Sequence, residues 1–364
     1  MQVATSPRDG RPMILAVTLL AAAMWIGVAP ATAATPAGTV EMHDVESRAV
    51  AGNQMGISSL RRVLVYLPPG YADSRRSYPT LYWIPGWATP ASREYVGALD
   101  EAIGKGRIPR VIVVHIDVRE GLVLLNSTVF GAWEDFLTQE LVPLIDPQYR
   151  TIPTPGGRAI MGHSTGGYGA IMAAALHSGM WGAVGLNDPS VWAACGHGLV
   201  AYPTEFADYA SLSGYHKALV QVGIAVAPNP ETARGFDVPF PPKSAVEATT
   251  HAWERHCLMR EEGVLAHLDA LRQVSAIEVI APRRSALTNR DASRKMVATM
   301  RALGLPVFLM ETPGSHGGGR PARFIELARR LERVLDPGFP DATRTAAVTW
   351  GGAKGDTVHA AQPD

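Results

Sequence analysis

Arg158-Ala159-Ile160-Met161-Gly162-His163-Ser164-Thr165-Gly166-Gly167-Tyr168-Gly169 joins a short apolar run to a run of small residues that continues to about His177. Inside it, Gly162-His163-Ser164-Thr165-Gly166 is a G-x-S-x-G motif, which requires a strand before it and a helix after it. A serine on a very tight strand-to-helix turn leaves no room for neighbouring side chains, so glycines stand two before and two after it. Gly167 lets the next helix pack close. The turn exposes the Ser164 hydroxyl and aims the Thr165 N–H at the carbonyl that the hydroxyl would attack. The helix N-terminus adds positive potential for a developing oxyanion. The plainer alternative is a glycine-rich turn with an idle serine.

Working outward, Arg61 to Leu67 has strand character and ends at Pro68-Pro69-Gly70. Tyr78 to Ile84 is a second short strand, closed by Pro85-Gly86, and a helical pattern covers about Ala91 to Ile103. Val111 to Ile116 reads as a strand buried on both faces, and Trp133 to Ile145 as an amphipathic helix. On the other side, strand-like Ala183 to Leu186 ends at Asn187-Asp188-Pro189. Ile277 to Ile280 and Val307 to Met310 are two more buried strands, with a helix from about Asp291 to Leu303 between them. Ala245 to Val274 reads as a helical pair and Phe324 to Val334 as the last helix. Alternating strands and helices predict an α/β fold, a mostly parallel sheet with helices on both faces. Residues 34–337 are expected to be one catalytic domain. Its stretch at about 190–243 is irregular and Pro-rich, which predicts a small cap over the carboxyl edge of the sheet, where a substrate would sit. The Gly-, Ala-, Thr- and Asp-rich tail, 338–364, has the composition of a disordered segment.

A serine nucleophile needs a base, and the base needs an orienting acceptor. Where a nucleophile elbow is used, the acid and then the histidine follow the serine along the chain. Of 11 histidines, His43 precedes the first strand read above, His115 lies in a buried strand, His163 belongs to the elbow and His359 to the tail. His316 directly follows the last core strand, in the flexible loop Thr312-Pro313-Gly314-Ser315-His316-Gly317-Gly318-Gly319, and is the candidate base. The acid is less direct. After Ile280 the chain reads Ala281-Pro282-Arg283-Arg284-Ser285, with no carboxylate. Asp188 ends the strand after the nucleophile helix, at the same sheet edge, and is the first candidate; a turn-starting Asp before Pro189 is the other reading of it. Asp291 is a second candidate with the character of a helix N-cap, and a site without an acid is the third possibility. The second oxyanion donor is expected from the loop Ile84-Pro85-Gly86-Trp87. Pro85 has no N–H, which leaves Gly86 or Trp87, with Trp87 preferred.

The 364 residues carry 33 basic and 33 acidic side chains, so nothing in the charge balance points to nucleic acid. Arg8 and Arg11, the apolar stretch Met13 to Pro30 and Ala31-Thr32-Ala33 read as a signal peptide, residues 1–33, cleaved after Ala33. A membrane anchor is the alternative, but no charged stop-transfer flank follows. The expected location is outside the cell, in the periplasm or at the cell envelope, with no stable membrane insertion after cleavage. Cys195 and Cys257 are open to two readings, one disulfide or two buried thiols. No metal-ligand pattern is present, and no cofactor is expected. Trp181, Trp192, Tyr202, Phe206 and Trp253 are candidate pocket residues, although aromatics in such numbers more often build the core.

Asn126-Ser127, Gly131-Ala132-Trp133-Glu134, Glu140-Leu141-Val142-Pro143, Tyr149-Arg150-Thr151 and Arg158 to Gly169 together resemble the esterase family that includes esterase D (S-formylglutathione hydrolase), feruloyl esterases, enterochelin esterases and the antigen 85 mycolyltransferases. The resemblance covers roughly Arg61 to Val334, and Phe236-Asp237-Val238-Pro239-Phe240 resembles a family segment in the cap region. It implies an α/β-hydrolase fold, no metal, and cleavage of acyl esters through an acyl-enzyme. Three positions depart from the family pattern. Pro85 stands where many relatives have His or Asp, Ser285 where the family acid is expected, and Asp188 where relatives often have Ser or Gly. The last two suggest an acid that moved between strands. The resulting expectation is an exported serine hydrolase acting on small-molecule, glycan or lipid esters, with Ser164, His316 and Asp188 catalytic and Trp87 and Thr165 binding the oxyanion. Acyl transfer of the mycolyltransferase type and a catalytically degenerate binding or cell-envelope protein are the alternatives.

Overall fold

The β-branched and aromatic runs of this chain form one eight-stranded sheet in the computed structural model, which describes residues 37–118, 123–195, 214–232, 235–237, 247–285 and 289–335. These all belong to the unit Thr35–Asp364. The expected signal peptide and tail lie outside the described residues, as do Tyr202 and Phe206. The strands are β1 (Thr39–Glu46), β2 (Leu60–Leu67), β3 (Thr80–Ile84), β4 (Ile112–Ile116), β7 (Arg158–His163), β8 (Ala183–Asn187), β9 (Ala276–Arg284) and β10 (Val307–Ser315), with a two-stranded ribbon of β5 (Asn126–Ser127) and β6 (Gly131–Ala132) apart from the sheet. Their order across the sheet is β1-β2-β4-β3-β7-β8-β9-β10. The pairs β1–β2 and β2–β4 are antiparallel, and every pair from β4 onward is parallel. The central strands β3, β4, β7 and β8 are buried at every residue, as continuous apolar runs require when helices cover both faces.

The helices are α1 (Val96–Gly104), α2 (Trp133–Asp135), α3 (Val142–Gln148), α4 (Thr165–Leu176), α5 (Gly214–Val226), α6 (Glu247–His256), α7 (Glu261–Leu265), α8 (Leu268–Leu271), α9 (Asn289–Ala302) and α10 (Arg320–Leu335). Leu99 of α1 packs with Phe324, Leu327 and Leu331 of α10 in one buried cluster. Ile171 of α4 and Met296 and Met300 of α9 belong to the cluster on the other side. The sheet is therefore sandwiched between two apolar layers.

Several elements differ from the sequence reading. The strand β1 lies outside the expected strands; its burial alternates weakly and it carries His43, so that residue lies in a strand rather than before the first one. The expected helix from Trp133 is interrupted by a π-helical stretch, Phe136–Leu141, between α2 and α3. The expected helical pair is three short helices, α6, α7 and α8; Gly263, inside α7, packs against the Cys257 and Glu254 carbonyls, where a Cβ would not fit. The cap stretch, expected to be irregular, contains the 13-residue helix α5, whose Leu219, Val222 and Ile224 are buried. Strands β9 and β10 run on past Ile280 and Met310, through prolines at 282 and 313. Among the described residues, no helix is long and apolar enough to cross a membrane.

Candidate active site

The chain leaves β7 at His163 and enters α4 at Thr165, so Ser164 alone makes the turn, with φ 57° and ψ −122°. That conformation is costly for a residue with a Cβ. The neighbouring glycines make it feasible. A Cβ at Gly162 would lie 2.1 Å from the Gly166 carbonyl oxygen, and one at Gly166 would lie 2.2 Å from that of Pro85. The Ser164 N–H donates to the Asn187 carbonyl at 3.0 Å, continuing the β7–β8 ladder by one residue before the chain turns.

The next strand repeats this move. Asp188 follows β8, has φ 49°, and donates its N–H to the Ile280 carbonyl at 2.7 Å. Its side chain is fully buried. Asp188 Oδ2 accepts the His316 Nδ1–H at 2.6 Å, and Ser164 Oγ lies 3.0 Å from His316 Nε2. Because the carboxylate only accepts, Nδ1 carries the ring proton, and Nε2 is left to accept from the Ser164 hydroxyl. Three residues from three strand ends thus form one hydrogen-bonded chain. Asp291 is not part of it: it lies in the first turn of α9, about two-thirds exposed, and pairs with Arg290 and Arg294. The helix begins at Asn289, so Asp291 is not its N-cap either.

Residues to which the sequence assigned no such role hold this chain in place. Ser285 Oγ donates to the same Asp188 Oδ2 at 2.8 Å. Asn289 Nδ2 donates to the Asp188 carbonyl at 2.8 Å, and Asn289 Oδ1 accepts from Trp192 Nε1 at 2.6 Å. Arg323 is buried and donates to the Asn187 side chain and to the carbonyls of Ser315, His316 and Gly318, which fixes the loop that carries His316. Burial holds the Arg323 guanidinium below its ordinary pKa, opposed by the Asp188 charge. A buried arginine bonded mainly to carbonyls gives no periodic signal in sequence; only its place on the apolar face of the last helix marks it. His163 stacks on His316 with ring centroids 4.6 Å apart. Burial, followed by the nearby His316 and Arg323, pushes its pKa well below the ordinary histidine value, so it is neutral and donates Nδ1–H to the Asn187 carbonyl at 3.0 Å.

Ser164 and His316 open onto a cavity of about 310 Å³. Trp87 and Thr165 flank the serine on its wall, and Trp192, Ala193, Ala218, Leu219 and Val222 make the wall apolar. Thr165 is the first residue of α4, where N–H groups have no intrahelical acceptor. The Trp87 indole donates to Gln221 Oε1 on α5 at 2.8 Å, tying that loop to the helix. Of the five candidate pocket aromatics, Trp192 lines the cavity, whereas Trp181 and Trp253 are buried in the core. Cys195 and Cys257 are disulfide-bonded, which joins the turn bearing Ala193 to the end of α6.

Residues 55–264 match the model of the family described as "Putative esterase". An esterase of Mycobacterium tuberculosis (strain ATCC 25618 / H37Rv) is 34% identical over 123 residues, which are 32% of this chain and 26% of that relative, so the match spans about a quarter of the relative's length. A solved ferulic acid esterase superposes with a TM-score of 0.57 at 18% identity, covering 82% of this chain and 99% of that one. A fluorophosphonate-binding serine hydrolase of Staphylococcus aureus does so with a TM-score of 0.54 at 13% identity, again over 82% and 99% of the two chains. The fold is that of the α/β hydrolases, here with a mixed eight-stranded sheet.

Proposed function

The chain belongs to that esterase family, and from this premise we propose that it is an exported serine hydrolase that cleaves carboxylic esters through an acyl-enzyme on Ser164. The supporting observation is the unbroken chain Ser164 Oγ, His316, Asp188 at 3.0 and 2.6 Å on the wall of an apolar cavity. As Ser164 Oγ attacks the ester carbonyl, its proton passes to His316 Nε2, and Asp188 stabilises the imidazolium. The carbonyl oxygen gains the electron pair and is held by the N–H groups of Thr165 and Trp87. The imidazolium then protonates the leaving alkoxide. Water enters, gives its proton to His316, and releases the acid from Ser164.

Export is supported by the leader-like N-terminus and by the Cys195–Cys257 bond, since disulfides persist in oxidising compartments. That points to secretion, the periplasm or the cell envelope. Among the described residues the cavity is at the small end of ligand pockets, which run from roughly 300 to 1,000 Å³. This favours small apolar acyl groups over the long chains that mycolyl transfer would need. The experiment is labelling of the mature protein with a fluorophosphonate, beside Ser164→Ala, with the modified peptide read by mass spectrometry. An adduct on Ser164 that the variant loses is expected. A folded protein that takes no adduct would make the catalytically degenerate reading the better one.

A further inference from the structure

The Asp188 turn does not stop at the acid. Two residues later, Ser190 comes back to the nucleophile: its N–H donates to the Ser164 carbonyl at 2.9 Å, and its Oγ lies 3.2 Å from Ser164 Oγ. Ser190 is only 3% exposed and lines the cavity beside Ser164 and His316. The intervening Pro189 is wedged against α4, where a Cβ on Gly167 would meet Pro189 Cβ at 2.9 Å. The hydroxyl is therefore held by packing on both sides.

The direction of the Ser190–Ser164 hydrogen bond follows from the rest of the site. His316 Nδ1–H is committed to Asp188, so Nε2 accepts, and the single hydroxyl proton of Ser164 goes to Nε2. Ser164 Oγ can then only accept from its other neighbour, and Ser190 must donate. We infer that the Ser190 hydroxyl is a fourth catalytic group, a fixed donor that stabilises the negative charge developing on Ser164 Oγ.

The inference rests on the proposed function, because it needs Ser164 to be the nucleophile. In acylation the Oγ–H bond breaks, its proton goes to His316 Nε2, and the Oγ electron pair forms the bond to the carbonyl carbon. During that transfer Oγ carries negative charge before the new bond is complete, and the Ser190 O–H is aimed at it. In deacylation the C–Oγ bond breaks and its electron pair returns to Oγ, which takes a proton from the imidazolium. Ser190 faces the same charge from the same place. It gains and loses no proton, so it adds nothing to the overall balance and acts only on the barrier.

The test compares wild type, Ser190→Ala and Ser190→Thr of the mature protein in two assays, the rate of fluorophosphonate attachment to Ser164 and the hydrolysis of a 4-nitrophenyl ester across pH. Removing one hydrogen-bond donor from a developing charge is expected to slow both reactions by about 10- to 100-fold. KM should change little and Ser190→Thr, which keeps the hydroxyl, should recover most of the rate. The acidic limb of the pH–rate profile should stay where it is, because Ser190 does not touch His316. Wild-type rates in Ser190→Ala would overturn the inference. So would a displaced limb, which would mean that the substitution acts by moving Asp188 two residues away. If wild type itself takes no label, the proposed function fails, and this inference with it.

Discussion

Strands β7 and β8 lie side by side, parallel, and end at the same height. Each passes its next residue through a left-handed turn, Ser164 at φ 57° and Asp188 at φ 49°, after a last N–H bond to the neighbouring strand. The two turns absorb the cost of that conformation differently. Around Ser164 the crowding falls on Gly162 and Gly166, and the 12-residue helix α4 that follows anchors the turn. Around Asp188 the one close glycine is Gly167, which gives room to the following Pro189 and not to Asp188 itself. Aspartate is among the few residues that tolerate the left-handed region, and the turn is held by side-chain bonds from His316 and Ser285 and by the Asn289 bond to the Asp188 carbonyl. The strain at Ser164 is compensated by backbone packing, whereas that at Asp188 is compensated by polar contacts that also orient His316.

This difference predicts how each turn breaks. Asp188→Asn keeps a side chain that fits the turn but removes the charge that holds the Nδ1–H tautomer. It is expected to lower kcat/KM by about 10³- to 10⁴-fold with the fold retained. An unchanged kcat/KM would mean that Asp188 is a turn residue and nothing more. Because Ser285 Oγ reaches the same Oδ2 at 2.8 Å, adding Ser285→Asp to this variant should return at least part of the lost activity. Gly166→Ala tests the other turn. Its Cβ would collide with the Pro85 and Ile84 carbonyls, so the elbow must move. An activity loss of about 100-fold is expected from such displacement of the nucleophile, together with a lower Tm, since the obstruction is backbone and cannot rotate away. A variant with wild-type turnover and Tm would show that the elbow is looser than its contacts imply.

The two turns also share a component. His163 ends β7 and donates to Asn187, the residue before Asp188. It is buried and resists protonation, as do His115 and His256, whose burial lowers each to about 4. In the unfolded chain such groups titrate near 6.5, so below that pH the unfolded state binds protons that the folded state refuses. Stability is complete above about 6.5 and falls as pH drops toward 4, by about 1 kcal/mol per pH unit for each such histidine. Urea midpoints measured from pH 7 to pH 4.5 should fall accordingly, and His163→Gln should flatten the slope. A flat midpoint across that range would mean that these rings are hydrated.

Much of this arrangement was legible because it is written in short-range patterns. Gly162, Gly166 and Gly167 mark the elbow by their spacing, and the buried runs at β4 and β8 mark strands covered on both faces. His316 followed from chain order and its glycine-rich loop. Asp188 can be placed at the sheet edge from sequence but not distinguished there from a turn residue, because its bonds to Ser285 and His316 reach 97 and 128 positions along the chain. Asn289 and Ser190 act through contacts distant in sequence, and Arg323 joins a distant contact to Asn187 with near ones to the carbonyls of Ser315, His316 and Gly318, none of which residue type alone announces. Strand β1 was missed for a related reason: as an edge strand with one neighbour, it is mostly exposed and lacks an apolar stripe. The helix α5 has little signal in sequence because it is flanked by proline-rich chain.

Ser285 gives the finest test of how the acid turn is held. Its hydroxyl donates to the oxygen that also accepts the His316 proton, so it both fixes the carboxylate and withdraws a little of its charge. Ser285→Ala removes the tether and leaves the charge. Two consequences then oppose each other: the carboxylate is freer to rotate, which weakens the alignment of the imidazole, but it is also a stronger acceptor for Nδ1–H. Asp188 is buried and still held by the Asn289 bond to its carbonyl, so rotation has little space and neither effect is large. A drop in kcat/KM of about three- to tenfold is expected, less than the full worth of a hydrogen bond to a charged group because the carboxylate itself stays in place. A loss as deep as that of Asp188→Asn would show that the tether, and not the carboxylate alone, makes this turn an acid. A rise above wild type would show instead that charge outweighs alignment.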